Sequence, residues 1–286
     1  MTKLPALLLL TTALFLVACG DDDSSSSKPA AKATTAADAC SKDNLKTKVP
    51  GTLTVATDKP AYPPYFEDDN PTNGKGFESA VAYAIATKLG YAKDEVKWTV
   101  VPFNASYAPG PKQFDFDVNQ ISINAKRQKA VDFSAPYFTA PQALVVPKGS
   151  KLVDAKSLAD VRSAKIGVQV GTTSFDAVKE VVKPDTEPKV FNNSTDVVTA
   201  LKQGQVDGVV VDLPTAFYVT AAQVEGSKIV GQFEAPGGDK WGALLAKGSP
   251  LTDCVSKAIT TLESSGELKQ IYDKWLGDAA GAPTLS

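Results

Sequence analysis

The sequence predicts an α/β protein built as two lobes, and three observations lead there. From Gly51 onward, short β-rich runs alternate with helical runs. The alternation passes through two successive series, one before Pro147 and one after it. Residues 206–211 are apolar at nearly every position, as in a strand of a parallel sheet covered on both faces. The length of 286 residues, beyond the ~150 of a one-domain prior, agrees with two lobes.

The first residues stand outside this pattern. Lys3 precedes an apolar run over residues 4–17, which ends in Leu16-Val17-Ala18-Cys19. The run is shorter than the ~20 residues that a helix needs to cross a bilayer, so it reads as a secretory signal. A small residue followed by Cys19 and Gly20 resembles the lipobox of bacterial lipoproteins, where the cysteine is lipidated and opens the mature chain. Residues 1–18 are therefore expected to be removed. Residues 19–50 are expected to form a flexible tether, because the Asp/Ser run at 21–27 and the Ala/Thr/Lys stretch after it have little to bury. An exported chain folds in an oxidising compartment, which makes Cys40 and Cys254 candidates for a disulfide. Two unpaired buried thiols are the alternative.

In the first series, residues 53–56 are β-rich. Phe77, Val81, Ile85 and Leu89 recur at helical spacing between Gly76 and Gly90, marking a helix with one apolar face that stops at a glycine. Residues 95–101, centred on Trp98, are strand-like, as are 116–121 and 143–146. In the second series, a strand at 165–170 is followed by a turn at Gly171 and a helix through Phe175, Val178 and Val182. Ser194 opens another helix, which carries Val197, Val198 and Leu201 to Gly204. Residues 241–245 are strand-like, and helices follow around 255–262 and 268–275.

Composition narrows the chemistry. The chain contains 0 histidines, which excludes His-based nucleophile relays and leaves no imidazole for acid–base work or metal binding. Its 30 Lys+Arg against 32 Asp+Glu provide no basic excess for nucleic acid. It has no GxxxxGK[ST], GxGxxG or CxxC frame, so no cofactor and no metal site is expected.

One segment carries a specific signal. Residues 122–137, Ser-Ile-Asn-Ala-Lys-Arg-Gln-Lys-Ala-Val-Asp-Phe-Ser-Ala-Pro-Tyr, resemble a stretch found in the polar amino acid binding proteins of ABC importers, the family 3 solute-binding proteins. Thr57-Asp58 with Tyr62-Pro63-Pro64-Tyr65 is similar to that family's first loop, and Gly76-Phe77-Glu78 to the opening of its first helix. Gly171-Thr172-Thr173, the stretch from Gly204 to Asp212, and Gly266-Glu267 through Trp275 are similar to later family segments in the same order.

The resemblance implies a two-lobe periplasmic-binding-protein (Venus flytrap) fold of type II. Two hinge segments, near 139–146 and 233–238, would join a first lobe of residues 51–139 plus 239–286 to a second of 140–238. The implied function is that of an extracytoplasmic substrate-binding lipoprotein, a monomer anchored to the membrane through Cys19. It would bind a free, polar L-amino acid and deliver it to an ABC permease. Alternatives on the same fold are a dehydratase-type enzyme, for which Glu67, Glu78 or Lys59 would supply the acid or base, and a sensor that presents its ligand to a partner.

The chemistry of the expected ligand suits the matching residues. A free amino acid always carries a carboxylate and an ammonium. The planar fork of arginine pairs with a carboxylate through parallel charge-assisted bonds, and the resemblance gives that role to Arg127. It gives the ammonium to Asp212, whose alternative is a helix N-cap before Leu213-Pro214. Ser122 and Thr173 match hydroxyls aimed at the carboxylate, with a half-buried strand residue and a helix cap as their alternatives. Gly171 and Thr172 would bring backbone N–H groups to the same anion. Tyr62 and Phe103 match aromatics that flank the ligand side chain, although such residues are commonly core.

The chain departs from the family at Asn119 and Gln120, where small residues are usual. Two amides facing the cleft would favour a polar ligand, with Asp58 as a further acceptor; alternatively, both satisfy buried backbone. Pro109-Gly110-Pro111 interrupts the helix that the family has there. No group in this set titrates near neutrality unless perturbed, so affinity is expected to be nearly flat between about pH 6 and 8.

Overall fold

The expected runs become strands and helices close to their anticipated bounds in the computed structural model, which describes residues 38–277 and 281–286. The expected signal residues 1–18, the expected lipidation site Cys19 and the part of the expected tether up to residue 37 lie outside the described residues. The first series gives β1 (Leu53–Thr57), α1 (Phe77–Lys88), β2 (Val96–Val100), α2 (Phe103–Ser106), β3 (Phe116–Asp117) and β4 (Val131–Thr139). The second gives β5 (Gln142–Val146), β6 (Ile166–Gln169), α3 (Thr173–Ala177), β7 (Lys189–Phe191), α4 (Ser194–Lys202), β8 (Gly208–Asp212), α5 (Leu213–Tyr218) and β9 (Lys228–Phe233). The chain then forms β10 (Lys240–Ala246), α6 (Thr252–Ser264) and α7 (Glu267–Leu276).

Among the described residues there are two 5-stranded sheets, ordered β2-β1-β3-β10-β4 and β7-β6-β8-β5-β9. β1 lies parallel to both β2 and β3, and β6 lies parallel to both β7 and β8. The β10 and β5 strands run antiparallel to their neighbours. Chain passes between the sheets at residues 140–141 and again at 234–239. The first connection is shorter than expected, because residues 142–146 are not hinge but a fully buried strand of the second sheet.

α1 packs Phe77, Val81 and Ile85 into the first core, as its four-residue spacing requires. It opens at Gly76, where φ is 95° and a Cβ would lie 2.3 Å from the Tyr65 carbonyl oxygen. Trp241 of β10 is buried at the centre of this core, with ring centroids 4.8 Å from Phe138 and 5.6 Å from Tyr65.

Four expectations are corrected. The strand at 116–121 is only Phe116–Asp117, because Gln120 takes a left-handed φ of 49° and turns the chain out of the sheet. The helix at 173–182 is α-helical only to Ala177 and continues as a wider π turn through Val182, which keeps Val178 and Val182 buried. Residues 281–286, assigned to the first lobe, pack on the second sheet. Thr284 bridges Gln232, Leu285 is buried in the second core, and the Leu158 N–H donates to the Ser286 carbonyl. Finally, residues 38–50 are not free tether. Lys42 pairs with Glu95, Leu45 packs against the first core, and Cys40 forms a disulfide with Cys254 of α6.

The disulfide closes a loop of 214 residues between the start of the domain and α6. Replacing both cysteines with serine is expected to cost about 2–5 kcal/mol, read as a lower denaturation midpoint in urea. An unchanged midpoint would contradict a stabilising bridge.

Candidate functional site

A cavity of about 620 Å³ opens at the carboxyl ends of β1, β3, β6 and β8, where parallel α/β sheets place their ligand crevices. Arg127, Asp212, Ser122, Thr173, Thr172, Tyr62, Phe103, Asn119, Gln120 and Asp58 all line it. Gly171 does not, but its carbonyl oxygen accepts from Arg127 Nη2 at 2.9 Å.

Arg127 sits on the short turn Arg127–Lys129 just before β4 and is 5% exposed. Its Nη1 donates to the Ser122 carbonyl at 2.7 Å, so the two carbonyl contacts aim the guanidinium while leaving further N–H groups of the fork for a ligand. The plane is flanked by the rings of Phe103 and Tyr107, with centroids 5.4 and 4.6 Å from Cζ. Burial lowers the Arg127 pKa, an effect opposed by Tyr107, Asp239 and Asp212. An arginine starts so high that it remains cationic. Gly171 has φ 72°, and a Cβ there would lie 2.4 Å from the Tyr107 hydroxyl, so the close approach of the two elements requires glycine.

Asp212 ends β8 at the N-cap position of α5, yet its side chain makes no capping bond. It accepts instead from Gln142 Nε2 at 2.6 Å, and the same nitrogen donates to Asp239 Oδ2 at 2.5 Å. Thr173 also donates to Asp239 and lies 3.2 Å from the Ser122 hydroxyl. Half-buried Asp212 and fully buried Asp239 thus form an acid pair joined by one amide. Burial, and then the Asp239 charge, push the Asp212 pKa well above the usual carboxylate range. A ligand ammonium beside Asp212 would supply the missing positive charge.

Other assignments divide. Thr172 faces the cavity, but its hydroxyl accepts from Phe175 N–H and donates to the Gln169 carbonyl, capping α3. Tyr62 bonds Thr195 of α4 at 2.6 Å, and its ring lies 6.1 Å from that of Tyr218. Asp58 accepts from the backbone N–H groups of Lys59 and Phe103.

The two amides behave differently. Gln120 donates to Glu78 from both its backbone N–H and its Nε2, so its side chain is committed to structure. Asn119 is 7% exposed, and its Nδ2 has no partner among the described residues. Sequence reasoning missed Tyr107, Gln142 and Asp239. Tyr107 stands one helical turn beyond Phe103, which is a usable signal. Gln142 and Asp239 flank the two connections and carry none.

Glu78 is fully buried, and Tyr137 also donates to it, at 2.5 Å. Burial raises its pKa to about 7, and Asp117, buried beneath Ser106, is also raised to about 7. Desolvation thus brings both carboxyls, neither of them among the expected ligand groups, into the region near neutrality, where they bear on stability. An acid raised on folding binds more protons in the native state than in the unfolded chain. Stability contributed this way is fully present below the ordinary carboxylate range and is lost as pH rises from there to about 7. Glu95 and Glu267 are lowered by Lys42 and Lys88, and their opposite effect ends at acid pH. The melting temperature is therefore expected to be higher at pH 5.5 than at pH 8, and Glu78→Gln should flatten the difference; a rise in stability over that interval would contradict this assignment.

Comparison with known proteins agrees with the geometry. ArtP of Bacillus subtilis (strain 168), an arginine-binding extracellular protein, is 28% identical over 85% of this chain and 93% of its own length. GlnH from the same organism, an ABC transporter glutamine-binding protein, is 30% identical over 72% of this chain and 75% of its own. Among solved structures, an ancestral arginine-binding protein bound to arginine superposes with a TM-score of 0.66 at 38% identity, covering 79% of this chain and 99% of that one. The pattern that defines one family matches residues 53–278, and this chain belongs to that family, the bacterial extracellular solute-binding proteins, family 3.

Proposed function

We propose that the chain is the extracytoplasmic substrate-binding lipoprotein of an ABC importer, which captures a free L-amino acid with a polar side chain and delivers it to the permease. In this reading the protein is a monomer held at the membrane by lipidated Cys19. Residues 51–139 with those from 239 to 277 form one lobe, and 140–238 with the C-terminal tail form the other. The observation that carries the proposal is the pairing of Arg127 with Asp212. A buried cation and a half-buried acid face one cavity from elements of different sheets. An α-amino acid supplies the two opposite charges on adjacent groups, so its binding favours closure of the lobes.

Ser122, Thr173, Tyr62 and Phe103 complete the proposed receptor. Its chemistry is that of a carrier. Among the acid–base candidates of the enzyme reading, Glu78 is held under Gln120 and Tyr137, while Lys59 pairs with Asp69. Neither Glu67 nor Glu78 lines the cavity.

Thermal melts against the common L-amino acids test the proposal. A ligand at 100 times its Kd should add ~2.7 kcal/mol of stability. Mass spectrometry should then recover that ligand unaltered. A panel with no stabilising amino acid would overturn the receptor reading, and an altered product would overturn the carrier reading.

A further inference from the structure

We propose that Tyr107 is a positioning residue of the receptor, whose ring fixes the Arg127 guanidinium for the ligand carboxylate and whose hydroxyl is the stop against which Gly171 closes from the other lobe. This inference rests on the proposed function and adds to it a residue that does not line the cavity.

The first support is how firmly Tyr107 is held. It is the C-cap of α2, and its half-buried ring meets that of Phe103 edge-on, with centroids 5.4 Å apart. α2 is anchored at both ends. The Phe103 N–H donates to Asp58, and the Ser106 hydroxyl donates to fully buried Asp117. Beyond Tyr107, Pro109-Gly110-Pro111 cannot continue the helix, but buried Lys112 donates to the Ala105 and Ala108 carbonyls and ties the loop back to it.

The second support is what the ring and the hydroxyl meet. The ring centroid lies 4.6 Å from Arg127 Cζ, nearer than the 5.4 Å of Phe103, so Tyr107 packs on the cation while the Ser122 and Gly171 carbonyls aim its fork. The hydroxyl donates to Asn104 Oδ1 at 2.6 Å, and the Gly171 carbonyl lies 3.4 Å away. Gly171 follows β6 of the second sheet, whereas Tyr107 and Arg127 stand on the side of the first. The two sides therefore meet at this hydroxyl.

The fit at that meeting is tight at one atom. A Cβ at Gly171 would lie 2.4 Å from the Tyr107 hydroxyl oxygen but 3.6 Å from Cζ of the same ring, which is ordinary contact. Asn104 Oδ1, at 3.2 Å, ends an exposed side chain that can give way. Glycine at 171 is what lets the second lobe come to rest on Tyr107, with its carbonyl on Arg127. The strain of a side chain at φ 72° is carried by empty and bound protein alike, so it bears on stability and not on affinity.

The test is a double-mutant cycle read by titration calorimetry, using whichever of the common L-amino acids raises the melting temperature of wild type most. Gly171→Ala should weaken that amino acid at least about tenfold. Tyr107→Phe, which keeps the ring and removes the oxygen, should weaken it less than about fivefold, and Tyr107→Leu, which removes the ring, about tenfold. The Gly171→Ala/Tyr107→Phe double variant should bind within about threefold of Tyr107→Phe alone, because the added methyl then meets no oxygen. Gly171→Asn, which tolerates a left-handed φ yet carries a Cβ, should show the same rescue and takes the place of Gly171→Ala if that variant does not fold. Wild-type affinity in Gly171→Ala, or losses that add in the double variant, would overturn the stop. Wild-type affinity in Tyr107→Leu would overturn the role of the ring. Each of these leaves the amino acid receptor standing, whereas stabilisation by none of the common amino acids would overturn both.

Discussion

Arg127→Ala leaves the protein without measurable affinity for any α-amino acid. The ligand carboxylate would enter a site whose cation is gone, and removing one partner of a buried pair costs about 3–5 kcal/mol, a loss of more than about 100-fold. Further loss follows from the contacts that Arg127 makes without ligand. It ties the Ser122 carbonyl to that of Gly171, and so connects the chain before β4 to the turn before α3. Arg127→Lys keeps the charge but not the fork, so it should recover only part of the affinity. Titration calorimetry reads both variants. Micromolar binding retained by Arg127→Ala would contradict the assignment of the carboxylate.

Asp212→Asn weakens amino acids far more than the matching carboxylic acids that lack the amine. The reason lies in the acid pair. In the empty site, burial and Asp239 hold Asp212 well above the ordinary carboxylate range, and Arg127 offsets this only partly. Glu78 adds to the same rise, while the Gln142 amide lowers it. A ligand ammonium favours the ionised form and lowers that pKa. Binding therefore releases a proton in the interval between the bound and free values, and affinity rises with pH across it. Calorimetry in buffers of different ionisation enthalpy measures this release, which should vanish in Asp212→Asn. The variant should also melt at a higher temperature than wild type, because one member of a repelling acid pair has become neutral. An equal loss of affinity for amine-bearing and amine-free ligands would count against the role of Asp212.

Much of this arrangement was legible in the sequence, for a physical reason. α1 and α4 declare themselves because a helix that buries one face must repeat its apolar residues at that face's spacing, as Phe77, Val81 and Ile85 do. β8 declares itself because a strand covered on both faces has no polar alternation. β7 and β9 were not anticipated. β7 is short and carries exposed Lys189 and Val190, while Gly231 interrupts the apolar run of β9. The end of β3 was misread because the composition of 116–121 suits a strand, whereas the turn at Gln120 is imposed by Glu78, 42 positions away in the chain.

The proposed binding groups divide along the same line. Arg127, Asp212, Ser122 and Thr173 lie in segments whose local pattern marks them, and all four face one cavity. Asp239 and Gln142 matter because two connections bring distant chain together against Asp212, and no local pattern encodes that meeting. The raised pKa values of Asp212, Glu78 and Asp117 have the same origin. Each follows from burial, which a list of residue types does not contain.

The central claim is that one ligand is held by both of its charges, the carboxylate on Arg127 and the ammonium on Asp212. It is tested most directly by titrating the wild-type chain with its best amino acid and with two analogues, one lacking the α-amine and one with the α-carboxylate converted to an amide. Both analogues should bind at least about 100-fold more weakly than the parent, since each leaves one of the two polar partners, Arg127 or Asp212, without its counterpart. Binding of either analogue within about threefold of the parent amino acid would contradict the claim.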